Sequence, residues 1–343
     1  MSKKPKVLII YTGGTIGMIR DEQTGTLRPF HLEGVFRTIP SIQQLGIEIH
    51  SMELEQIIDS SNVTPAVWSE LAGIIGKNYS EFDGFVVLHG SDTMAFSTSA
   101  LSFMLENLGK PVIFTGSQLP IGLPRTDARE NLITALTIAA MRRPDGRSLV
   151  PEVCIYFEDR LYRGNRTHKF NSENFDAFQS RNYPILAEAG VRIRIYEERL
   201  LAQPDADLVV HATLNTKVAT IKLFPGLDLT PYPAMFARTG IEAVILETYG
   251  SGNGPTSDSF IGALKEMTDN GILMLNITQC REGKVEMGKY ETSEKLLGIG
   301  VLNGADLTAE AAITKAMFIL GKTADKNERR KMLQKPLRGE MSL

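Results

Sequence analysis

Short apolar segments recur along the chain and predict buried β-strands. Several are continuous apolar runs rather than alternations of apolar and polar residues, as in VLIIY at 7–11. Such runs are typical of parallel strands that are covered on both faces of a sheet. The predicted strands lie at 7–11, 47–52, 85–89, 112–115, 153–157, 243–247 and 272–277.

Segments with helical spacing separate these strands. The Thr-Pro pair at 64–65 suits the N-cap and the first position of a helix. A second helix is predicted over 127–143, where Asp127 and Glu130 have the spacing of a capping box. Strands that alternate with helices in this way predict an α/β fold with a parallel sheet. Two more helices, each ending at a glycine, are predicted at 91–109 and 308–321.

The alternation lapses in one segment, which predicts a domain boundary. Between residues 196 and 212 the sequence YEERLLAQPDADLVVHA is charged, carries a proline and ends in a short apolar run. We therefore predict an N-terminal domain over 1–195, a linker over 196–212 and a C-terminal domain over 213–343.

The amino-acid composition limits the classes of binding partner and the cellular compartment that we expect. The net charge of −3 gives no reason to expect nucleic acid or an anionic membrane as a partner. The two cysteines match no metal spacing and suit a reducing compartment. The apolar run at 7–11 is shorter than the roughly 7–15 residues of a signal-peptide core. We expect a cytoplasmic protein.

Two of the predicted strands end in glycines flanked by hydroxyl residues, which indicates a binding site. The first is followed by TGGT at 12–15 and the second by GSDT at 90–93. Ligands bind at the carboxyl ends of parallel strands, and glycines let backbone N–H groups approach a ligand closely. A tight turn and a helix N-cap are the simpler alternatives. The glycine spacing fits neither a dinucleotide fingerprint nor a P-loop.

Two other polar segments carry candidate chemistry. The sequence DSSN at 59–62 precedes a helix start, and its simplest interpretation is a turn with a cap. The sequence RLYRGNRTHK at 160–169 is dense in cations, and a solvated basic loop is the alternative interpretation.

In order along the chain, these motifs resemble those of bacterial-type L-asparaginases. YTGGTIGM at 11–18 and HGSDTMAFSTSALSFMLENLGKPVIFTGSQLP at 89–120 resemble the two signature segments of the family. DSSN, LYRGNRTHK and YGSGNGP at 249–255 fit the same family. The chain is most similar to the type I, cytoplasmic class. The resemblance implies an N-terminal doubly wound (flavodoxin/Rossmann-like) domain with a mostly parallel sheet, and a smaller C-terminal α/β domain.

The resemblance implies the hydrolysis of L-asparagine to L-aspartate and ammonia. Thr15 matches the nucleophile that forms an acyl-enzyme, and a second catalytic group is matched by Ser91, Asp92 and Lys169. A threonine hydroxyl needs a base, and none of the five histidines stands in a Ser-His-Asp order. A lysine base is therefore reasonable, provided that its surroundings favour the neutral amine.

The resemblance also implies how the substrate binds. The turn with Asp59, Ser60 and Ser61 matches the substrate-binding turn, in which Ser60 corresponds to the residue that holds the α-carboxylate. Asp92 matches the residue that binds the α-ammonium. Asn253 matches a residue that reaches the site from a neighbouring subunit, since the family forms homodimers that pair into homotetramers. No cofactor or metal is implied.

Two departures from the family pattern concern the catalytic groups. Threonine is usual where this chain has Ser91, so the hydroxyl is kept and the methyl group is lost. Many members also carry a tyrosine on a loop about ten residues after the nucleophile, and residues 20–29 contain none. Tyr290 is our candidate for a phenol that takes this role.

Three alternative functions remain at this stage. A tRNA-dependent amidotransferase subunit uses the same domain, but such chains carry an extension before the TGGT motif, and Thr15 lies near the start here. A non-catalytic amino-acid-binding homologue would have no need for a nucleophile or a base. Dual asparaginase/glutaminase activity stays open, because one methylene changes specificity by only ~1–3 kcal/mol.

Overall fold

The computed structural model describes residues 4–20, 27–29, 39–289 and 291–342. The chain divides into two compact units, Met1–Ala212 and Thr213–Leu343. Each predicted strand matches an observed one, and the second extends six residues beyond its predicted end. Within the described ranges, no helix combines the length and the apolar character that a membrane span requires.

The first unit is built on a large sheet. Its strands in chain order are β1 (Lys6–Gly13), β2 (Met18–Arg20), β3 (Leu27–Pro29), β4 (Glu48–Ile58), β5 (Gly84–Leu88), β6 (Leu105–Glu106), β7 (Val112–Thr115), β8 (Val153–Phe157), β9 (Arg160–Arg163), β10 (His168–Lys169), β11 (Phe178–Gln179), β12 (Ala187–Ala189), β13 (Ile193–Ile195) and β14 (Val209–Val210). Eight of them form one sheet in the order β13-β12-β9-β8-β7-β5-β1-β4. The five strands from β8 to β4 are parallel, and β9, β12 and β13 add an antiparallel edge.

Apolar side chains cover both faces of this sheet. Among its described residues, the helices of the unit are α1 (Pro65–Asn78), α2 (Met94–Met104) and α3 (Ala128–Ala139). Val7, Ile9 and Tyr11 share a buried cluster with residues of α3, so the alternate residues of β1 face the opposite side. Those alternate residues are buried as well, which explains why β1 reads as a continuous apolar run.

The strand order indicates a candidate ligand site in the first unit. In chain order, the five parallel strands lie as second, first, third, fourth and fifth, which is the doubly wound flavodoxin-like arrangement. The direction of winding reverses between β1 and β5, and doubly wound folds bind ligands at the carboxyl ends of such strands. The predicted fold class is confirmed.

Two helix predictions in the first unit are wrong at their ends. The helix predicted over 91–109 begins at Met94 and ends at Met104, because the next two residues pair with β14. The helix predicted over 127–143 ends at Ala139, because the following backbone forms a turn stabilised by an Arg143 N–H bond to the Arg147 carbonyl. Both causes are backbone pairings with residues outside the predicted helices.

The segment 196–212, which the sequence suggests as a linker, belongs to the first unit. The Leu201 N–H donates to the buried carboxylate of Glu152 at 2.8 Å. The His211 N–H donates to the Met104 carbonyl at 2.8 Å, next to the β6–β14 pairing. The segment is therefore packed along this unit, and its role as a linker remains a proposal.

The second unit has a smaller, fully parallel sheet. Its strands, in spatial order, are β15 (Val218–Lys222), β16 (Ala243–Thr248), β17 (Leu273–Thr278) and β18 (Leu302–Asn303). Its helices are α4 (Tyr232–Thr239), α5 (Asp258–Asp269), α6 (Glu291–Gly298), α7 (Ala309–Lys322) and α8 (Lys326–Leu333).

A buried ion pair fastens the last residues of the second unit. Lys315 on α7 lies 2.7 Å from the carboxylate of Glu340, and both side chains are fully buried. The Lys315 ammonium also donates to the carbonyls of Leu333 and Lys335. A buried charge is tolerated only when it is paired and hydrogen-bonded, so this tail is held in one position.

Candidate active site

A cleft of about 210 Å³ lies at the switch point of the first unit. It collects chain segments that are far apart in sequence but close together at the ends of β1, β4 and β5. Its lining residues, which we call the site cleft, are Gly14, Thr15, Met18, Asp59, Ser60, Gly90, Ser91, Asp92, Gln118, Lys169 and Ser172.

Thr15 begins a short turn directly after β1. The residues Thr15–Gly17 form a 3-10 turn, in which the Gly17 N–H donates to the Gly14 carbonyl at 3.2 Å. From the interior, the buried Tyr11 hydroxyl donates to the Gly17 carbonyl at 3.1 Å. Burial raises the pKa of Tyr11, which keeps this phenol neutral. The turn is thus fixed from below, with Thr15 at the cleft.

The glycines of the two strand ends are required for close packing. Gly14 has a φ of 89°, and a Cβ atom there would lie 2.5 Å from the Gly90 nitrogen. A Cβ atom at Gly90 would lie 2.5 Å from the Ser60 hydroxyl oxygen. These distances are shorter than any van der Waals contact, so the ends of β1, β4 and β5 can meet only because both positions are glycine.

We expect Gly14→Ala to lower the free energy of unfolding by more than about 2 kcal/mol, because a positive φ and a backbone clash add together. Gly73→Ala is the matched control. Gly73 lies inside α1 with nothing near its missing Cβ, so alanine should stabilise the protein by about 1 kcal/mol. Urea denaturation of both variants checks this, and equal stabilities would contradict it.

Ser91 and Asp92 do not cap the helix that follows them. Thr93 stands at the N-cap position of α2 and makes no side-chain cap bond. Its hydroxyl donates instead to the Ser60 carbonyl at 2.7 Å, which ties the end of β5 to the turn after β4. The alternative interpretation of GSDT as a helix cap is therefore wrong, and both side chains are free for another role.

Lys169 joins Ser91 and Asp92 in one hydrogen-bonded group. Its ammonium donates to the Ser91 hydroxyl at 2.8 Å and to the Asp92 carboxylate at 2.5 Å. The Lys169 side chain is 19% exposed, whereas Asp92 is 63% exposed, so the lysine lies deeper than its carboxylate partner. The structure brings together three of the four predicted catalytic side chains, and Thr15 lines the same cleft.

The segment that carries Lys169 is not a solvated basic loop. Arg163 is buried and its guanidinium lies 2.6 Å from the equally buried Glu152 carboxylate. The turn Gly164–Arg166 that follows is also buried. This packing fixes the backbone that leads to Lys169 and limits the positions its ammonium can reach.

The turn after β4 combines a structural role with a place in the cleft. The Asp59 carboxylate accepts hydrogen bonds from the Ser61 N–H and hydroxyl at 2.8 and 2.7 Å. These bonds lower the pKa of Asp59, so its carboxylate stays charged. Asp59 thus caps the 3-10 turn Ser60–Asn62, as the simpler interpretation predicts. Asp59 and Ser60 line the cleft, and Ser61 is absent from its lining.

Three residues of the cleft were not predicted from the sequence: Met18, Gln118 and Ser172. Gln118 follows β7, the neighbour of β5, in the sequence TGSQ. A third strand that ends in glycine and hydroxyl residues is the signal that could have found it. The Gln118 side chain donates to the Asn174 carbonyl at 2.9 Å, which links it to the segment carrying Ser172.

One further predicted residue, Asn253, is absent from the lining of the cleft. Asn253 belongs to the second unit, where its N–H donates to the Tyr249 carbonyl at 2.9 Å. Its side-chain oxygen is buried, and no described atom donates a hydrogen bond to it. Tyr290 and most of the loop 20–29 lie outside the described residues. In the described ranges, no three His, Cys, Asp or Glu side chains are grouped to hold a metal ion.

Comparison with known proteins covers both units. A family model for the asparaginase N-terminal domain matches residues 6–201, and one for the glutaminase/asparaginase C-terminal domain matches residues 217–333. The chain is 41% identical to L-asparaginase 1 of Escherichia coli K12, over 99% of each protein.

Solved structures agree with this match. L-asparaginase I from Vibrio cholerae superposes with a TM-score of 0.89 at 36% identity, over 99% of this chain and 100% of that one. The thermostable L-asparaginase from Thermococcus kodakarensis gives a TM-score of 0.89 at 32% identity, over 98% and 99%. The resemblance inferred from the motifs is confirmed: the chain belongs to the asparaginase family.

Proposed function

We propose that the chain hydrolyses the side-chain amide of L-asparagine through an acyl-enzyme on Thr15. L-asparaginase is the activity that family membership supports. The observation that carries the mechanism is the cleft that holds Thr15 beside the bonded group of Lys169, Ser91 and Asp92. A nucleophile and a base within one cleft are what acyl transfer requires, and a binding protein has no use for them.

The reaction proceeds in two steps, the acylation of Thr15 and the hydrolysis of the resulting ester. The Thr15 oxygen attacks the amide carbon, the carbon–nitrogen bond breaks, and the Thr15 proton leaves with the nitrogen as ammonia. A water molecule then attacks the ester carbon, L-aspartate departs, and a water proton returns to the Thr15 oxygen. The group of Lys169, Ser91 and Asp92 relays these protons. An ammonium can only donate hydrogen bonds, so Lys169 accepts a proton in this relay only as the neutral amine, while the Asp92 carboxylate holds it in position.

The size and polarity of the cleft suit a small zwitterion. A volume of 210 Å³ is below the roughly 300–1,000 Å³ of pockets for drug-sized ligands. The exposed Asp92 carboxylate offers a partner for the α-ammonium, and the Ser60 turn offers hydrogen-bond donors for the α-carboxylate. Both charges of the substrate are then met when it leaves water.

Ammonia release from L-asparagine and L-glutamine by the purified protein tests this proposal. Fast release from asparagine supports it. Comparable release from glutamine would identify a dual asparaginase/glutaminase. The two substrates differ by one methylene, which changes specificity by only ~1–3 kcal/mol. Binding of asparagine without any ammonia release would favour the non-catalytic homologue.

The serine at position 91 leads to a prediction of its own. We expect Ser91→Thr to raise kcat by about two- to fivefold, because a β-branched side chain has fewer rotamers to lose when it bonds Lys169. Ser91→Ala should lower kcat by about 100-fold, since it removes the hydroxyl that accepts from Lys169. Steady-state kinetics on L-asparagine measures both, and an unchanged rate for Ser91→Ala would exclude this hydroxyl from the relay.

The family pattern also guides proposals on assembly and location. We infer a homodimer or homotetramer in which Asn253, in the sequence YGSGNGP at 249–255, reaches the site of a neighbouring subunit. Sedimentation measures the assembly. A cytoplasmic location is likewise proposed, on the composition and on two cysteines that are both free.

A further inference from the structure

A chain of buried polar side chains lies beneath the turn that carries Ser91 and Asp92. The Trp68 indole N–H donates to the Ser97 hydroxyl at 2.9 Å. Ser97 lies 2.9 Å from His89 Nε2, and His89 Nδ1 lies 2.6 Å from the Gly90 carbonyl oxygen. His89 is 1% exposed and Ser97 is fully buried. We call these residues the buried polar chain.

The direction of every bond in this chain is determined by its chemistry. A carbonyl oxygen only accepts, so His89 Nδ1 must carry the hydrogen that bonds Gly90. Burial lowers the pKa of His89 to about 4, so the ring is neutral near pH 7 and Nε2 is an acceptor. Ser97 must therefore donate to Nε2, and its oxygen accepts from Trp68, whose indole nitrogen is only a donor. One tautomer of His89 is compatible with all three hydrogen bonds of the chain.

This arrangement controls the peptide group between Gly90 and Ser91. In a trans peptide the carbonyl and the following N–H point in opposite directions. Because the buried His89 holds the Gly90 carbonyl toward the interior, the Ser91 N–H is directed away from the interior, where Gly90 and Ser91 line the cleft. No atom of the described residues accepts a hydrogen bond from the Ser91 N–H. Without this bond, the glycine at position 90 would allow the peptide to rotate.

We propose that His89 is a positioning residue, which through the buried polar chain holds the Gly90–Ser91 peptide so that the Ser91 N–H and hydroxyl face the substrate and Lys169. This inference rests on the proposed function of the cleft. The hydrogen bond from a preorganised N–H group to the substrate oxygen strengthens as negative charge develops on that oxygen. The role of His89 is therefore expected in kcat rather than in substrate affinity.

Three variants separate this role from simple core packing. His89→Leu removes both bonds, and it should lower kcat for L-asparagine by about 10- to 100-fold with KM changed less than threefold. His89→Asn keeps an amide N–H close to the position of Nδ1, so its kcat should be about tenfold higher than that of His89→Leu. Ser97→Ala removes the hydroxyl that fixes the tautomer of His89, with little change in side-chain volume. It should lower kcat less than His89→Leu does. His50→Asn alters an exposed histidine on β4 and should leave kcat unchanged.

The ring nitrogens of His89 provide a measurement that does not depend on turnover. In the intact protein, ¹⁵N spectra should show a neutral ring with the hydrogen on Nδ1 from pH 5.5 to 8.5. A ring that carries the hydrogen on Nε2, or that is protonated above pH 6, would overturn the proposal even if no variant folds. Full kcat in folded His89→Leu, or equal loss in the leucine and asparagine variants, would overturn it too. An intact protein that shows this tautomer but releases no ammonia would instead count against the proposed function.

Discussion

Replacing Thr15 with alanine is expected to lower kcat for L-asparagine by at least about 10⁴-fold, because the proposed acyl-enzyme cannot form without its hydroxyl. Thr15 lines the site cleft at the start of the turn Thr15–Gly17, and its side chain takes no part in the bonds that hold this turn. The variant should therefore keep the melting temperature of the parent. Ammonia release and a thermal melt measured on the same preparation check both expectations.

Thr15→Ser is the matched control for this change. It keeps the nucleophilic oxygen and loses only the methyl group that restricts the rotamer, so it should retain activity within about tenfold of the parent. Mass spectrometry after rapid acid quenching should detect an aspartyl ester on the parent and none on Thr15→Ala. Substantial turnover by folded Thr15→Ala would assign the nucleophile to another residue, and Ser91 would be the next candidate.

The second large effect is expected for Lys169→Met, with a loss of about 10²- to 10⁴-fold in kcat. Methionine fills a similar volume but cannot donate to Ser91 or Asp92, so the proton relay is interrupted while the buried segment before it stays packed. KM should rise less than kcat falls, since Lys169 is assigned to the relay and Asp92 to the substrate. Steady-state kinetics with L-asparagine makes this comparison.

Lys265→Met controls for the loss of a lysine as such. Lys265 lies on α5 in an exposed ion pair with Asp269, so its replacement by methionine should leave kcat unchanged. Lys169→Arg is the more demanding comparison, because arginine keeps the charge but cannot give up its proton at neutral pH. If Lys169→Arg retained full activity, Lys169 would act by its charge alone, and the proton relay would need another base.

Strand ends were the part of the site that the sequence could predict. The runs before Thr12 and His89 are apolar throughout, so their carboxyl ends are visible, and parallel strands bring such ends to one edge of a sheet. Gln118 follows the next strand of the sheet in the same kind of sequence. It was missed because a glutamine after a strand has many ordinary surface roles.

Partners that lie far apart in the sequence could not be predicted. Asp127 has the spacing of a capping box, yet its carboxylate accepts from the Gln118 and Leu119 N–H groups, which shape the loop at the cleft. Local pattern cannot reveal this choice, because the competing donors precede Asp127 by eight or nine residues. The buried ion pair of Arg163 and Glu152 could not be predicted for the same reason, because a cation-rich sequence alone indicates a solvent-exposed loop.

The ion pair of Lys315 and Glu340 has a consequence for the order in which the protein is made. Domains fold as units during synthesis, with the N-terminal one first. All residues of the site cleft precede position 173, so on a ribosome the site can assemble while the second unit is still being translated. Lys315 has no carboxylate beside it until Glu340 is added. The second unit therefore stays incomplete until translation has passed that residue, and ribosomes stalled just before it would hold nascent chains with a formed cleft and a protease-sensitive second half.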